Sequence, residues 1–124
     1  MSKRIMICAV FVFFALSMNV ALSDMVYPPE LMEVSAPYPG ATITQTTNAS
    51  VQVMVTMESN DNPDLIFEFY KTEVAANGWT ITNKMQSQGL SGLMGVKGSN
   101  IVRVSIVTDQ SGKSIIMLML APKQ

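Results

Sequence analysis

The chain has no histidine, and its one cysteine is Cys8. Without histidine there can be no Ser-His-Asp triad, no Cys-His nucleophile and no imidazole-ligated zinc. Without a second thiol there can be no intramolecular disulfide. Charge is scarce as well. Only 14% of residues are charged, and eight Lys and Arg stand against nine Asp and Glu, a net of −1. That balance does not indicate the basic surface of a nucleic-acid-binding protein, and no nucleic-acid partner is expected. What is abundant is apolar: 48% of the 124 residues are hydrophobic, room for one domain with its own core.

The N-terminus reads as an address. Lys3 and Arg4 precede an uncharged, mostly apolar stretch from Ile5 to Leu16. Ala21-Leu22-Ser23 then places small residues where a signal peptidase needs them. The expectation is a signal peptide over residues 1–23, cleaved before Asp24, and an exported protein, periplasmic or extracellular. The alternative is an anchor. Residues 5–22 form an apolar run broken only by Ser17 and Asn19, at the short limit for crossing a bilayer. Membrane contact is expected only through such an uncleaved segment. A lipoprotein is excluded, because Cys8 lies inside the apolar run. Cleavage removes Lys3, Arg4 and Cys8, leaving six basic residues against nine acidic ones and no thiol. A disulfide-free exported domain suits a bacterial envelope.

Residues 24–41 carry Pro28, Pro29, Pro37 and Pro39, which disfavour a central strand or helix. An extended lead-in is expected, with a helical turn near Glu30 to Val34 and a turn at Pro39-Gly40. The domain proper follows over residues 42–124. Thr42 to Thr47 suits a short strand, and Asn48-Ala49-Ser50 a turn that also matches a glycosylation sequon. Val51 to Glu58 alternates as a half-buried strand. Asn62 can cap a helix with Pro63 in its first turn and Asp64 against its dipole. Ile66, Phe69, Tyr70 and Val74 share one face of it, and Asn77-Gly78 stops it. Strands are then expected over Trp79–Met85, with Trp79, Ile81 and Met85 on one face, and over Leu90–Lys97, weakened by Gly92 and Gly95. Ile101–Thr108 alternates, with Arg103 and Ser105 outward, and Ser114–Leu120 is apolar on both faces. The fold class is therefore α+β: one helix packed on an antiparallel sheet of five or six strands, in the order β-β-α-β-β-β-β.

Pro37-Tyr38-Pro39-Gly40-Ala41, Phe69-Tyr70-Lys71, Gly78-Trp79 and Lys97-Gly98 follow one another in an order that resembles a small, uncharacterised α+β domain of exported bacterial proteins. The resemblance runs from residue 37 to about 121. It implies this fold and an export address, and no catalytic residue.

Candidate sites are few. The loop Glu58-Ser59-Asn60-Asp61-Asn62-Pro63-Asp64 is rich in oxygen, but lacks EF-hand spacing and reads better as a helix cap with a solvated turn. Glu73 falls near the apolar helix face, where it can pair with a lysine or sit half-buried as a base. Lys113-Ser114 has no recognisable dyad spacing. Methionine is frequent, with 11 in the chain. Soft thioethers suit Cu(I), although methionine more often fills gaps in a core. The last strand is the most informative. If Ile116, Leu118 and Leu120 face the helix, then Ile115, Met117 and Met119 share the other face with Met54. Such a patch must be covered by the lead-in or by another molecule.

The function expected from these features is an exported cell-envelope interaction or binding module without catalytic activity or cofactor. Its partner would be an unknown protein or a second copy, and its patch Met54, Ile115, Met117 and Met119. The alternative is a periplasmic protein that binds a small ligand or a metal, Cu(I) among them. A hydrolase using carboxylates ranks last.

Overall fold

The computed structural model describes residues 25–49 and 51–122. The expected signal segment, Cys8 and the cleavage point before Asp24 lie outside them. A short 3-10 helix, Pro29–Glu33, precedes strands β1 (Thr42–Ala49) and β2 (Gln52–Ser59). Helix α1 (Pro63–Ala76) follows, then β3 (Thr80–Ser87), β4 (Leu90–Lys97), β5 (Asn100–Thr108) and β6 (Ser114–Pro122). All six strands form one antiparallel sheet in the order β1-β2-β6-β5-β4-β3. Element order and class are those read from the sequence.

The helix is bounded as its sequence dictates. Asn62 Oδ1 accepts the Asp64 N–H at 2.8 Å, and Pro63 occupies the first turn. At the other end Gly78 takes φ 90°, a conformation that penalises any side chain. Lys97 Nζ then donates to Asn77 O at 2.8 Å, placing a cation on the negative end of the helix. The buried helix face is Ile66, Phe67, Tyr70 and Val74. Phe67 was not expected there, and Phe69 is only partly buried. Phe67 lies only about 20° round the helix from Val74 and so belongs to the sheet-facing stripe, whereas Phe69 sits on the opposite flank, where Tyr38 of the lead-in meets it at 5.1 Å, edge to face.

β1 and β3 each contain a bulge, between Ile43 and Gln45 and between Ile81 and Asn83. The extra residue, Thr82, reverses the alternation of β3. Ile81 therefore pairs with Gly95 on the helix side, whereas Met85 pairs with Gly92 on the opposite face. This corrects the shared face expected for Trp79, Ile81 and Met85. Gly95 also departs from expectation. A Cβ there would meet Val102 Cγ1 at 3.3 Å and Val74 Cγ1 at 3.4 Å, so the position lets the helix approach β4 closely.

The largest correction concerns the lead-in. Covering of Ile115, Met117 and Met119 was one of two expectations, but the lead-in lies on the helix side. Leu31 and Val34 are fully buried in the core with Tyr70, Val55 and Leu118. Asn48 Nδ2 donates to Glu30, Trp79 Nε1 to Glu33 O at 3.0 Å, Asn77 Nδ2 to Val34 O at 3.1 Å, and Ala36 N to Glu73 Oε1 at 3.2 Å. The segment thus crosses from β1 to the end of α1, and then returns along the helix to Tyr38 and the Pro39-Gly40 turn. It completes one face of the sheet and belongs to the folded unit.

Trp79 is accordingly a joint as well as a core residue. Trp79→Ala should cost about 3–5 kcal/mol from lost packing, a large share of the roughly 5–15 kcal/mol typical of a domain. Denaturant unfolding checks this; a loss below about 1 kcal/mol would mean that the indole neither packs nor tethers.

Candidate functional site

The sheet face away from α1 is built from strand alternation. In β2, Val53, Val55 and Met57 turn inward, so Met54, Thr56 and Glu58 turn outward. In β5, Val102, Val104 and Ile106 are buried, leaving Arg103, Ser105 and Val107 on the open face. In β6, Ile116 and Leu118 are buried, leaving Ile115, Met117 and Met119. Register then brings these residues side by side. Met119 lies between Met54 and Arg103, Met117 between Thr56 and Ser105, and Ile115 between Glu58 and Val107. All four residues of the expected patch, Met54, Ile115, Met117 and Met119, share this one surface, and each is half-buried. Among the described residues, no element covers it.

The structure extends the patch beyond what the sequence indicated. Met94 pairs with Arg103, and Met85 with Gly92, so two more methionines join the face through β4 and β3. Gly92 leaves a shallow depression of about 240 Å³, lined by Asn83, Met85, Met94, Arg103 and Ser105 among others. Met94 could have been found from the alternation of β4. Met85 could not, because only the β3 bulge puts it there. Of the charges on the face, Glu58 contacts Lys113 at 3.6 Å. Arg103 has no ion pair among the described residues.

The other candidates are brought into structural roles. Ser59 Oγ accepts the Asp61 N–H at 3.0 Å, Asp61 Oδ2 accepts the Tyr38 phenol at 2.6 Å, and Ser114 Oγ donates to Asp61 O at 2.9 Å. The oxygen-rich loop therefore anchors Tyr38 and β6. Glu73 holds the lead-in through Ala36 N rather than pairing with a lysine. Lys113 meets Glu58 while Ser114 turns to Asp61, so the two do not work together. Among the described residues no three His, Cys, Asp or Glu side chains gather as a metal site. Of the thioethers, Met57 goes to the core, and Met54 Sδ accepts from Gln52 Nε2 at 2.9 Å.

Residues 40–112 match the START domain-like family model. That is more than half of the chain. The chain belongs to the START domain-like family. No curated protein and no solved structure matches it. In this START domain-like chain the matched segment runs from the Gly40 turn through β1, β2, α1, β3, β4 and β5 to the loop before β6. It includes Met54 and Arg103 of the open face, and leaves Ile115, Met117 and Met119 beyond it.

One polar group lies inside the covered face. Tyr70 Oη is buried and makes no hydrogen bond of full geometry among the described residues, although the Tyr38 backbone lies near it. Burial pushes its phenol pKa up, and burial followed by the charge of Glu73 does the same for Tyr27. Tyr38 is pushed up to about 12, first by its hydrogen bond to Asp61 and then by burial. These three are all the tyrosines of the chain.

Two predictions follow from the tyrosines. A phenol whose pKa rises on folding keeps its proton after the unfolded chain has lost it. Its contribution is complete below pH 10 and is lost as pH rises towards about 12. Absorbance at the phenolate band should therefore stay flat through the ordinary tyrosine pKa and then rise together with unfolding; titration of any tyrosine near pH 10 in the folded chain would contradict this. An unsatisfied buried hydroxyl costs about 1–3 kcal/mol. Tyr70→Phe should thus leave stability unchanged or raise it by about 1 kcal/mol, measured by denaturant midpoint. A clear loss would show that the hydroxyl has a partner.

Proposed function

We propose that the chain is an exported, non-catalytic interaction module of the bacterial cell envelope that works through its open sheet face. The observation that carries this reading is an apolar surface, rich in methionine, spread over five strands and left bare by every described element. A monomeric soluble protein seldom keeps a broad apolar surface in water without a use for it. Methionine suits contact with a partner because its unbranched thioether adapts to irregular surfaces. The export part rests on the order of Lys3-Arg4, the apolar run and Ala21-Leu22-Ser23.

A second reading draws on the same face. Met54 and Met119 are direct cross-strand partners, and Met117 lies two residues along from Met119. This brings together soft donors of the type that holds Cu(I).

A photo-crosslinking residue at position 117 should capture a discrete envelope component in cells, whereas one at Thr72 on the exposed side of α1 should not. Met117→Lys together with Met119→Lys should abolish capture by a probe at position 94 without lowering the unfolding midpoint. Equal capture from positions 117 and 72 would overturn the interaction reading. The intact mass of the captured chain reports whether residues 1–23 have been removed. Titrating the purified chain with Cu(I) separates the second reading: saturable binding lost in the double variant, with no captured partner, would favour the metal.

A further inference from the structure

The charges on the open face sit at opposite corners of a compact grid. Its columns are Met54, Thr56 and Glu58 on β2, Met119, Met117 and Ile115 on β6, and Arg103, Ser105 and Val107 on β5. Met117 is the centre. Arg103 and Glu58 are the two ends of one diagonal through it. We infer that this face pairs with the same face of a second copy, about a two-fold axis that passes through Met117, so that each Arg103 meets the Glu58 of the other copy. The inference rests on the open face being the working surface, and adds the identity of the partner.

The geometry is set by the sheet. A two-fold axis lying between two stacked sheets, perpendicular to the Arg103–Glu58 diagonal, exchanges the ends of that diagonal. Both ion pairs then form at once, Met117 meets its own equivalent, and the remaining positions are filled by apolar or small polar groups. With strands about 4.8 Å apart and residues about 3.3 Å apart, the strands of the two copies cross at roughly 70°. This lies nearer the orthogonal than the aligned class of sheet packing. Six strands of about eight residues project roughly 750 Å², comparable to the ~800 Å² each partner contributes to a stable interface.

Self-pairing also accounts for the charges better than a cover of uniform polarity. Among the described residues Arg103 has no ion pair and Glu58 has only a long contact to Lys113, the Glu58 side chain being 36% exposed. An acidic partner would satisfy Arg103 but repel Glu58, whereas a copy of this face satisfies both. Isologous interfaces are self-complementary in this way.

The test uses the chain from Asp24 to Gln124, which carries every described element and no cysteine. Sedimentation equilibrium should show a concentration-dependent dimer. Arg103→Glu and Glu58→Arg, each alone, place like charges at both symmetric contacts and should weaken the dimer by about tenfold or more. The double exchange, Arg103→Glu with Glu58→Arg, should restore it. Restoration is a result that general destabilisation cannot imitate, and circular dichroism of each variant confirms folding. Should a variant fail to fold, Met117→Cys supplies the second measurement: a short bis-maleimide should link two copies at position 117 but not at Thr72→Cys. A monomer at all concentrations, or a dimer indifferent to both single exchanges and unlinked at position 117, would overturn self-pairing. Capture of another envelope protein by the probe at position 117 from a chain that is monomeric would leave the interaction reading standing and remove only the second copy.

Discussion

The Trp79 indole ties three segments into one body. It is buried beneath the lead-in, it immediately precedes β3, and its Nε1 donates to Glu33 O at 3.0 Å. Around it, Asn77 Nδ2 reaches Val34 O and Lys97 Nζ reaches Asn77 O, at 3.1 and 2.8 Å. The end of α1, the start of β3, the end of β4 and the lead-in are therefore fixed at a single corner. Once that corner is fixed, Leu31 and Val34 must enter the core beside α1, and the proline-rich segment has no length left to reach the other face. The Tyr38–Phe69–Tyr70 cluster secures the return path, with rings 5.1 and 5.0 Å apart in edge-to-face geometry. Such pairs add about 0.5–1.5 kcal/mol each beyond burial.

A six-stranded sheet has two faces, and the described residues supply one α-helix and one ordered lead-in to cover them. Both are used on the same side. The asymmetry follows from topology. β2 and β3 stand at nearly opposite sides of the sheet and run in the same direction, so the chain must cross over between them, and it does so once, through α1. After the crossover, β3, β4, β5 and β6 fold back as a meander joined by short turns that supply no second layer. The open face is thus the consequence of a single crossover together with a lead-in drawn to Trp79.

Much of this was legible in single residues. Asn62-Pro63-Asp64 marked the start of the helix because capping is local chemistry. Asn77-Gly78 marked its end for the same reason, and the Val-rich alternation of β2 and β5 showed their inward faces. The four patch residues were legible because β6 is apolar at every position from Ile115 to Leu120, so neither choice of inward set could hide the other. What could not be read was set by neighbours. The bulge at Thr82 exists in the pairing of β3 with β4, and no residue of β3 announces that Met85 will change sides. The side chosen by the lead-in was equally hidden, because Leu31 and Val34 are apolar whichever face they meet. The hydrogen bonds from Trp79, Asn77 and Asn48 to the lead-in decide it. Phe67, by contrast, was open to reading, because with Tyr70 and Val74 it keeps the i, i+3, i+7 spacing of one helix face.

The composition of the open face bears on how permanently it is covered. Its apolar ridge, Ile115, Met117 and Met119, is flanked by Thr56 and Glu58 on one side and by Arg103 and Ser105 on the other. An obligate cover would allow leucine and β-branched residues throughout, as on the helix side, where Val55, Val102, Val104, Ile106, Ile116 and Leu118 are almost fully buried. The open face instead mixes methionine and arginine, both enriched in interfaces, with small hydroxyl residues that water satisfies. Such a surface can stand in water for part of its life. Covering it would take the thioethers out of water. The polar neighbours supplied by β2 and β5 thus explain how β6 can be apolar on both sides without demanding a second layer from its own chain.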